Sequence, residues 1–188
     1  TVLAQEQENF LQEIVVIANR IPVPVKQIGT SVSIIDKEDI QAHGNFSLTD
    51  VLRQSAAIGV TNNGGAGALS SVRIRGEEGF RTLTLFDGLR LSDPSGPQVA
   101  TSLEHIPSSG VGRVEILRGP QGLSYGADAG GIISISSAAS EPGLRTNIDV
   151  QGGSRGSRQL SADLSAANEV LDFYLSASEF ETDGYNVR

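Results

Sequence analysis

The chain has 188 residues, enough for one ordinary domain and part of a second. With 38% hydrophobic residues, 5% aromatics and 22 glycines, it is typical of a folded, glycine-rich chain with more strand than helix. The formal net charge of -8, with 14 scattered Lys and Arg residues, argues against nucleic acid as a partner, and the lack of cysteine excludes a disulfide framework and a thiolate metal site.

Residues 1–27 form the first zone of the sequence. The opening TVLAQEQ is similar to the end of a secretory signal peptide, so residues 1–4 are interpreted as its remnant. Residues 5–27 are polar apart from EIVVI (13–17), which predicts a flexible leader with one short extended segment. This β-branched segment could either offer an edge for addition of a partner's strand or form the first strand of the next domain.

Residues 28–138 show short helix and strand patterns in alternation, which predicts one small α+β domain. TSVSIID (30–36) has the pattern of a strand, and KEDIQAHG (37–44) has that of a short helix stopped by its glycine. Further on, SVRIRG (71–76) and TLTLFDGLRLSD (82–93) alternate like half-buried strands, and the Asp-Gly pair of the second predicts a tight hairpin turn.

A second helix is predicted between these strands. Ser47 is a good N-cap residue, and Asp50 at the N3 position makes an Asp version of the capping box. Phe46 and Val51 occupy the N′ and N4 positions of a hydrophobic staple. The helix is expected to run to about Gln54.

The pattern changes in residues 144–188, which contain three runs of alternating apolar and polar side chains. The apolar positions are Leu144, Thr146, Ile148 and Val150, then Leu160, Ala162, Leu164 and Ala166, then Leu171, Phe173, Leu175 and Ala177. Tilted strands of about 9–11 residues with one apolar face are long enough to cross a bilayer. A soluble antiparallel sheet with one covered face shows the same alternation, so this pattern alone leaves both architectures open.

Five pieces of the sequence, taken in order, resemble one known family. SVRIRG (71–76), LFDGLRL (85–91) and VGRVEILRGPQGLSYGADAGGIISISS (111–137) are similar to the plug-domain signature of TonB-dependent outer-membrane transporters. EIVVI (13–17) is similar to their TonB box, and the runs of 144–188 stand where their barrel begins. The resemblance implies an α+β plug domain, a small mixed sheet with short helices, followed by the first antiparallel strands of a transmembrane β-barrel, in a fragment of a larger chain.

The resemblance also implies a function. Such a protein is an active transporter in the outer membrane of a Gram-negative bacterium, with its barrel surrounded by lipid and its N-terminus in the periplasm. It takes up a scarce large ligand, such as a metal–siderophore complex or cobalamin, while the plug gates the barrel. It is not an enzyme and needs no cofactor. Two other functions stay open: a receptor that binds its ligand without transport, and an exported soluble β-rich binding module.

Two sets of contact residues follow from the resemblance. The implied TonB-binding residues are Glu13, Ile14, Val15, Val16 and Ile17. Ile17 stands where the family often has Thr, which leaves the boundaries of the box open. Arg75 and Arg118, in the IRG and LRGP motifs, are implied to contact acidic side chains of the barrel wall, because a buried guanidinium that loses its partner costs about 3–5 kcal/mol. Plain solvation of both arginines at the surface is the alternative.

Two polar loops far from the box are predicted to face the ligand, because binding residues concentrate in loops carried by a rigid scaffold. They are NNGGAGALS (62–70) and SDPSGPQ (92–98). The candidate ligand-binding residues are Asn62, Asn63, Ser70, Asp93, Ser95 and Gln98.

Motifs of enzymes and metal sites are weak in this sequence. GLSYG (122–126) matches G-x-S-x-G, but a nucleophile elbow needs a histidine later in the chain, and His43 and His105 both precede it. The two histidines also lack the spacing of a metal site. The glycines of 119–131 instead predict tight turns and close backbone approach between two strands.

Overall fold

The computed structural model describes residues 15–16, 23–24, 29–44, 46–64, 67–95, 98, 100–119, 130–138 and 142–184. The strands are β1 (Val15–Val16), β2 (Val23–Pro24), β3 (Ser31–Asp36), β4 (Ile58–Asn62), β5 (Ser70–Ile74), β6 (Thr82–Phe86), β7 (Leu89–Leu91), β8 (Val111–Arg118), β9 (Gly131–Ser137), β10 (Gly143–Gly152), β11 (Arg158–Ala167) and β12 (Asp172–Glu181). The helices are α1 (Lys37–His43), α2 (Leu48–Arg53) and a 3-10 turn at Gly79–Arg81. This order confirms the predicted α+β region followed by antiparallel strands. The G-x-S-x-G motif lies outside the described residues.

A five-stranded mixed sheet forms the centre of the first region, in the order β3-β8-β9-β6-β7. Strands β6 and β9 pair in parallel, and the other neighbours pair antiparallel. The central strands β8 and β9 are buried along most of their length, because both of their faces are covered. Ile116 of β8 lies opposite Ile133 of β9, and both are fully buried. Burial of such a side chain stabilises the fold by about 1.5–3 kcal/mol.

Both helices pack against one face of this sheet. Ile40 of α1 and Leu48 and Leu52 of α2 belong to the same buried cluster as Ile116 and Ile133. The opposite face carries a smaller cluster of Leu83, Leu85, Leu117 and Ile132. Among the described residues, no helix is long and apolar enough to cross a membrane.

The two helix boundaries follow the predicted capping residues. Helix α1 ends at Gly44, which adopts the left-handed conformation with φ 59°. Helix α2 begins after Ser47, whose Oγ accepts a hydrogen bond of 3.1 Å from the backbone N–H of Thr49. The predicted capping box is wrong in detail, because the bond goes to the N2 amide and Asp50 instead lies 3.4 Å from Arg53. The Asp side chain is one methylene shorter than the Glu of a standard capping box, so it reaches the N-cap amide less readily.

Short turns connect the remaining strands of the first region. Asp87 and Gly88 both have positive φ, 46° and 80°, as the predicted tight hairpin between β6 and β7 requires. Strands β4 and β5 form a separate two-stranded hairpin. Gly131 begins β9 where a Cβ would lie 2.6 Å from Cδ1 of Ile74, so the predicted close approach is confirmed at this glycine.

Strands β10, β11 and β12 form an antiparallel meander that we call the wall strands. Each neighbouring pair is joined over ten residues, and the turn between β11 and β12 is closed by Asn168, whose side chain accepts bonds from Val170 and Leu171. One face of these strands carries exposed apolar side chains, of which the large ones are Leu144, Ile148, Val150, Leu160, Phe173 and Leu175. Phe180 of β12 lies on the other face, opposite Gln159. The polar side chains Gln159, Ser161 and Ser165 are buried on the other face.

Candidate functional site

The predicted contact residues Arg75 and Arg118 lie close together at one end of the central sheet. Arg118 is the last residue of β8, and its Nε donates a 3.0 Å hydrogen bond to the carbonyl oxygen of Ala56. Arg75 follows β5 with φ 55°, and its backbone N–H donates a 2.8 Å bond to the carbonyl oxygen of Ala57. The segment after α2 therefore holds both arginines, although they are 43 positions apart in the sequence.

The two arginines differ in their exposure. The side chain of Arg75 is exposed, whereas Arg118 is only 5% exposed, and its Nη2 has no hydrogen-bond partner among the described residues. Burial, and secondarily the positive charge of Arg75, lower the pKa of Arg118. A buried cation beside a like charge is stabilised by an anionic partner. The burial of Arg118 differs from plain surface solvation, whereas the exposure of Arg75 agrees with it. The contact of both arginines with acidic side chains of the barrel wall remains a prediction.

In the first predicted ligand loop, residues 62–70, two of the chosen side chains hold the loop itself. Asn62 Nδ2 donates to Ser70 Oγ at 3.1 Å, and Asn62 Oδ1 accepts from the backbone N–H of Gly64 at 2.9 Å. Ser70 is buried, and its Oγ donates to the carbonyl oxygen of Ala68. Asn63 is exposed. Asn62 and Ser70 thus shape the loop, and Asn63 is the exposed polar side chain of the three.

The second predicted ligand loop, residues 92–98, contains an aspartate turn. Asp93 Oδ1 accepts bonds from the backbone N–H of Ser95 at 2.8 Å and from Ser95 Oγ at 2.6 Å. These two bonds lower the pKa of Asp93. Gln98 is exposed.

The predicted TonB box is described only in part. Val15 and Val16 form β1, which pairs antiparallel with Val23–Pro24 and not with the five-stranded sheet. Glu13, Ile14 and Ile17 lie outside the described residues. The assignment of the box as the TonB-binding segment remains a prediction.

The first ligand loop reaches one end of the wall strands. Gly67 lines a recess of about 740 Å³ together with residues that flank the β10–β11 turn and the end of β12. The wall residues of this recess are Gly156, Arg158, Phe180, Glu181, Thr182 and Asp183. The tip of the β4–β5 hairpin is therefore displayed at the same end as the turn between β10 and β11.

Comparison with known proteins identifies the family. The model of the TonB-dependent receptor plug domain matches residues 24–133, which is more than half of the chain. The chain belongs to this family. Membership places this TonB-dependent receptor in the outer membrane of a Gram-negative bacterium, in a family of receptors and not of enzymes.

Solved structures show the same fold at low sequence identity. The pyoverdine outer membrane receptor FpvA from Pseudomonas aeruginosa PAO1 matches with a TM-score of 0.72 and 16% identity, over 92% of this chain and 25% of that one. The alcaligin outer membrane receptor FauA from Bordetella pertussis matches with a TM-score of 0.71 and 20% identity, over 88% and 29%. A chain of the FpvAI–pyocin S2 complex matches with a TM-score of 0.70 and 17% identity, over 88% and 22%. The chain thus spans between 22% and 29% of the length of these structures.

In this TonB-dependent receptor the central sheet with its helices is the plug domain, and the wall strands are the start of the barrel. The polar face of the wall strands is turned toward the plug: Gln159 Nε2 donates to Ser109 Oγ, and the recess beside α1 is lined by wall residues Asn147, Asp149 and Asp163. The apolar face is turned away from it. The predicted alternation is therefore confirmed, and its polar face lies toward the plug.

Three features of this receptor escaped the sequence reasoning. Leu69 is 66% exposed at the first ligand loop, and Leu89 is 74% exposed beside the β6–β7 turn. Both leucines lie next to polar turn residues. Because only polar side chains are predicted as ligand contacts, neither leucine is among the predicted residues. The third is a direct contact between plug and wall at Phe46, where the sequence pattern predicts only the start of a helix.

Proposed function

We propose that this chain is the N-terminal part of an active transporter that takes up a large metal chelate across the outer membrane, with TonB as its energy-coupling partner. The observation that carries the proposal is the seating of a folded plug against the polar face of wall strands whose opposite face is apolar and exposed. A plug inside a barrel blocks free diffusion, so a ligand can pass only when the plug moves. A segment that couples this movement to an external energy source is then required.

Ligand capture is assigned to the exposed end of the plug. The 62–70 loop borders the recess that the ends of the wall strands also line, so a ligand there would contact plug and barrel together. Asn63 and Leu69 are the exposed polar and apolar side chains of this loop. A combination of polar and apolar contacts suits a bulky organic chelate better than a bare ion.

The metal-chelate class is supported by the names of the structural neighbours. FpvA was solved bound to pyoverdine, and FauA is an alcaligin receptor. The iron complexes of these two compounds are therefore the first probes, and cobalamin is the comparison ligand. In this proposal the plug catalyses no reaction.

Deletion of residues 13–17 from the full-length receptor tests the coupling. We expect uptake of radioactive iron delivered as ferric pyoverdine or ferric alcaligin to be lost, while binding of the same complex to intact cells is kept, because the deleted segment is not part of the loops that we assign to ligand binding. Deletion of residues 6–10, which has the same length in the same leader, should leave both uptake and binding unchanged. Uptake that survives the 13–17 deletion would refute the TonB coupling.

The same assay separates the two alternative functions. A receptor that binds without transport would show saturable binding and no uptake even in the unaltered protein. A soluble binding module would remain in the soluble fraction after cell lysis. Replacement of residues 62–70 and 92–98 by Gly-Ser segments should weaken binding at least tenfold, and unchanged binding would refute the assignment of these loops.

A further inference from the structure

The 62–70 loop contains an asparagine followed directly by a glycine. Asn63 and Gly64 are the only such pair in the 188 residues, because every other asparagine precedes a residue with a side chain. The backbone nitrogen of a following residue can attack an asparagine side chain, and a glycine in that position leaves the approach open because it has no Cβ. Asparagine is among the thermolabile residues for this reason. The sequence of the loop therefore contains the residues for spontaneous deamidation.

The reaction of this pair needs no partner other than water. The backbone nitrogen of Gly64 gives up its proton and attacks Cγ of Asn63. The bond from Cγ to Nδ2 then breaks, and the amide group takes up a proton and leaves as ammonia. Water opens the resulting five-membered succinimide ring at either of its two carbonyl carbons. The product is aspartate or isoaspartate, and both carry a carboxylate where the amide was neutral.

Water has access to the reacting side chain. The side chain of Asn63 is exposed. Its backbone N–H donates a 3.2 Å hydrogen bond to the carbonyl oxygen of Leu69, which closes the base of the loop without involving the side-chain amide. Solvent can therefore exchange protons with the reacting groups and open the ring. The electrophilic carbon of the pair is not shielded by burial.

The attacking nitrogen, in contrast, is held by the preceding residue. Asn62 Oδ1 accepts a 2.9 Å hydrogen bond from the backbone N–H of Gly64. A bond from a side-chain oxygen to the amide two residues ahead is common for asparagine. Here it occupies the proton that has to leave before the nitrogen can attack Asn63. The reaction therefore requires this bond to open first, which lowers its rate.

The side chain of Asn62 is fixed from its other end. Its Nδ2 donates to Ser70 Oγ at 3.1 Å and to the carbonyl oxygen of Ala68 at 3.4 Å. Ser70 Oγ in turn donates to the same carbonyl oxygen at 2.9 Å, and Ser70 is only 7% exposed. Because the Nδ2 group faces these two oxygens, Oδ1 is directed to Gly64. The loop thus holds the acceptor in place.

We propose that Asn63 is a site of spontaneous deamidation and that Asn62 slows the reaction by holding the attacking amide. The reaction depends on the chemistry of the loop and not on the ligand or on transport. Its product adds a carboxylate to a loop whose Gly67 shares a recess with Glu181 and Asp183. The loop of an aged receptor is therefore more anionic than that of a new one.

Mass spectrometry of the full-length receptor, incubated in detergent micelles and then digested, measures the reaction. We expect the peptide that contains Asn63 to show a growing fraction with the mass of the acid, while peptides that contain Asn147 or Asn168 keep their amides. Asn63→Ser should remove this fraction. Asn62→Ala should speed the conversion about fivefold, which corresponds to about 1 kcal/mol, the size of one hydrogen bond.

Asn62→Asp is the matched variant, because it keeps an acceptor for the N–H of Gly64 but loses the donors to Ser70 and Ala68. It should convert no faster than wild type. Conversion as fast as in Asn62→Ala would overturn the proposal, since loosening of the loop would then explain both rates. Equal rates in wild type and Asn62→Ala, including no conversion in either, would also overturn it. Because no ligand is involved, a failed uptake assay leaves this result standing.

Discussion

Replacement of Gly110 by alanine measures how tightly the plug is seated on the wall. Alanine in the left-handed region costs about 1–2 kcal/mol in free energy of unfolding. The new Cβ would lie 3.0 Å from Ser176 Oγ, and overpacking of this kind costs about a further 1–3 kcal/mol. Gly88 is the matched control, since it has φ 80° and a Cβ there would meet nothing within 4 Å. Gly110→Ala should therefore cost about 2–5 kcal/mol and Gly88→Ala about 1–2 kcal/mol.

A buried thiol reports these energies without requiring a ligand. Ser134 of β9 is 5% exposed, so Ser134→Cys in the full-length receptor is labelled by a maleimide only when the plug opens. When opening is fast relative to labelling, a tenfold rise in the labelling rate corresponds to about 1.4 kcal/mol. We expect Gly110→Ala to be labelled at least about fivefold faster than Gly88→Ala. Adding Ser176→Gly, which removes both crowded atoms, should return Gly110→Ala to the rate of the Gly88→Ala control. Equal rates for the two alanine variants would refute the close packing of Gly110 on β12.

Two further predictions concern local structure in the plug. Ser47→Ala removes the acceptor of the Thr49 amide and should destabilise the plug by about 0.5–2 kcal/mol in the same labelling assay, so a rate equal to wild type would contradict the role of Ser47 as N-cap. The pKa of Asp93 should lie below 3.8, as an NMR titration of its carboxyl carbon can show, because two bonds from Ser95 stabilise the carboxylate. A lowered pKa means that the turn is stabilised above pH 3.8 and loses this contribution as the pH falls through the folded-state pKa. Ser95→Ala should raise that pKa, and an unchanged value would contradict the side-chain bond.

The elements of the plug could be predicted where their determinants are local. Gly44 ends α1 and Asp87–Gly88 turns the β6–β7 hairpin because each conformation depends on one or two residues. The order of the central sheet depends on partners far apart in sequence: Ser31 pairs with Arg118, and Thr82 pairs in parallel with Gly131. Such pairings depend on the packing of the whole domain, so no short sequence pattern predicts them.

The candidate site was predictable to a smaller extent. Arg118 donates a hydrogen bond to the carbonyl oxygen of Ala56, 62 positions earlier in the chain. A strand that ends in Leu-Arg does not predict that contact. In the ligand loops, asparagine and aspartate were favoured as polar groups available for binding. Asn62 and Asp93 instead bond to amides two residues ahead, the usual behaviour of these residues in turns. Sequence composition does not distinguish a side chain that binds a ligand from one that holds its own loop.

The direction of burial in the wall strands decides between the two architectures that alternation left open. In a soluble sheet the apolar face would be covered and the polar face would meet water. Here Leu144 and Val150 are 74% and 75% exposed, whereas Gln159 and Ser161 are each 3% exposed against the plug side. In water, a continuous apolar face of this kind would promote association, but in a bilayer the same face is stabilised by the surrounding lipid. The plug therefore occupies the polar side of the wall, where its hydrogen bonds and close backbone contacts can form, and the arrangement is stable as a whole only with lipid on the other side.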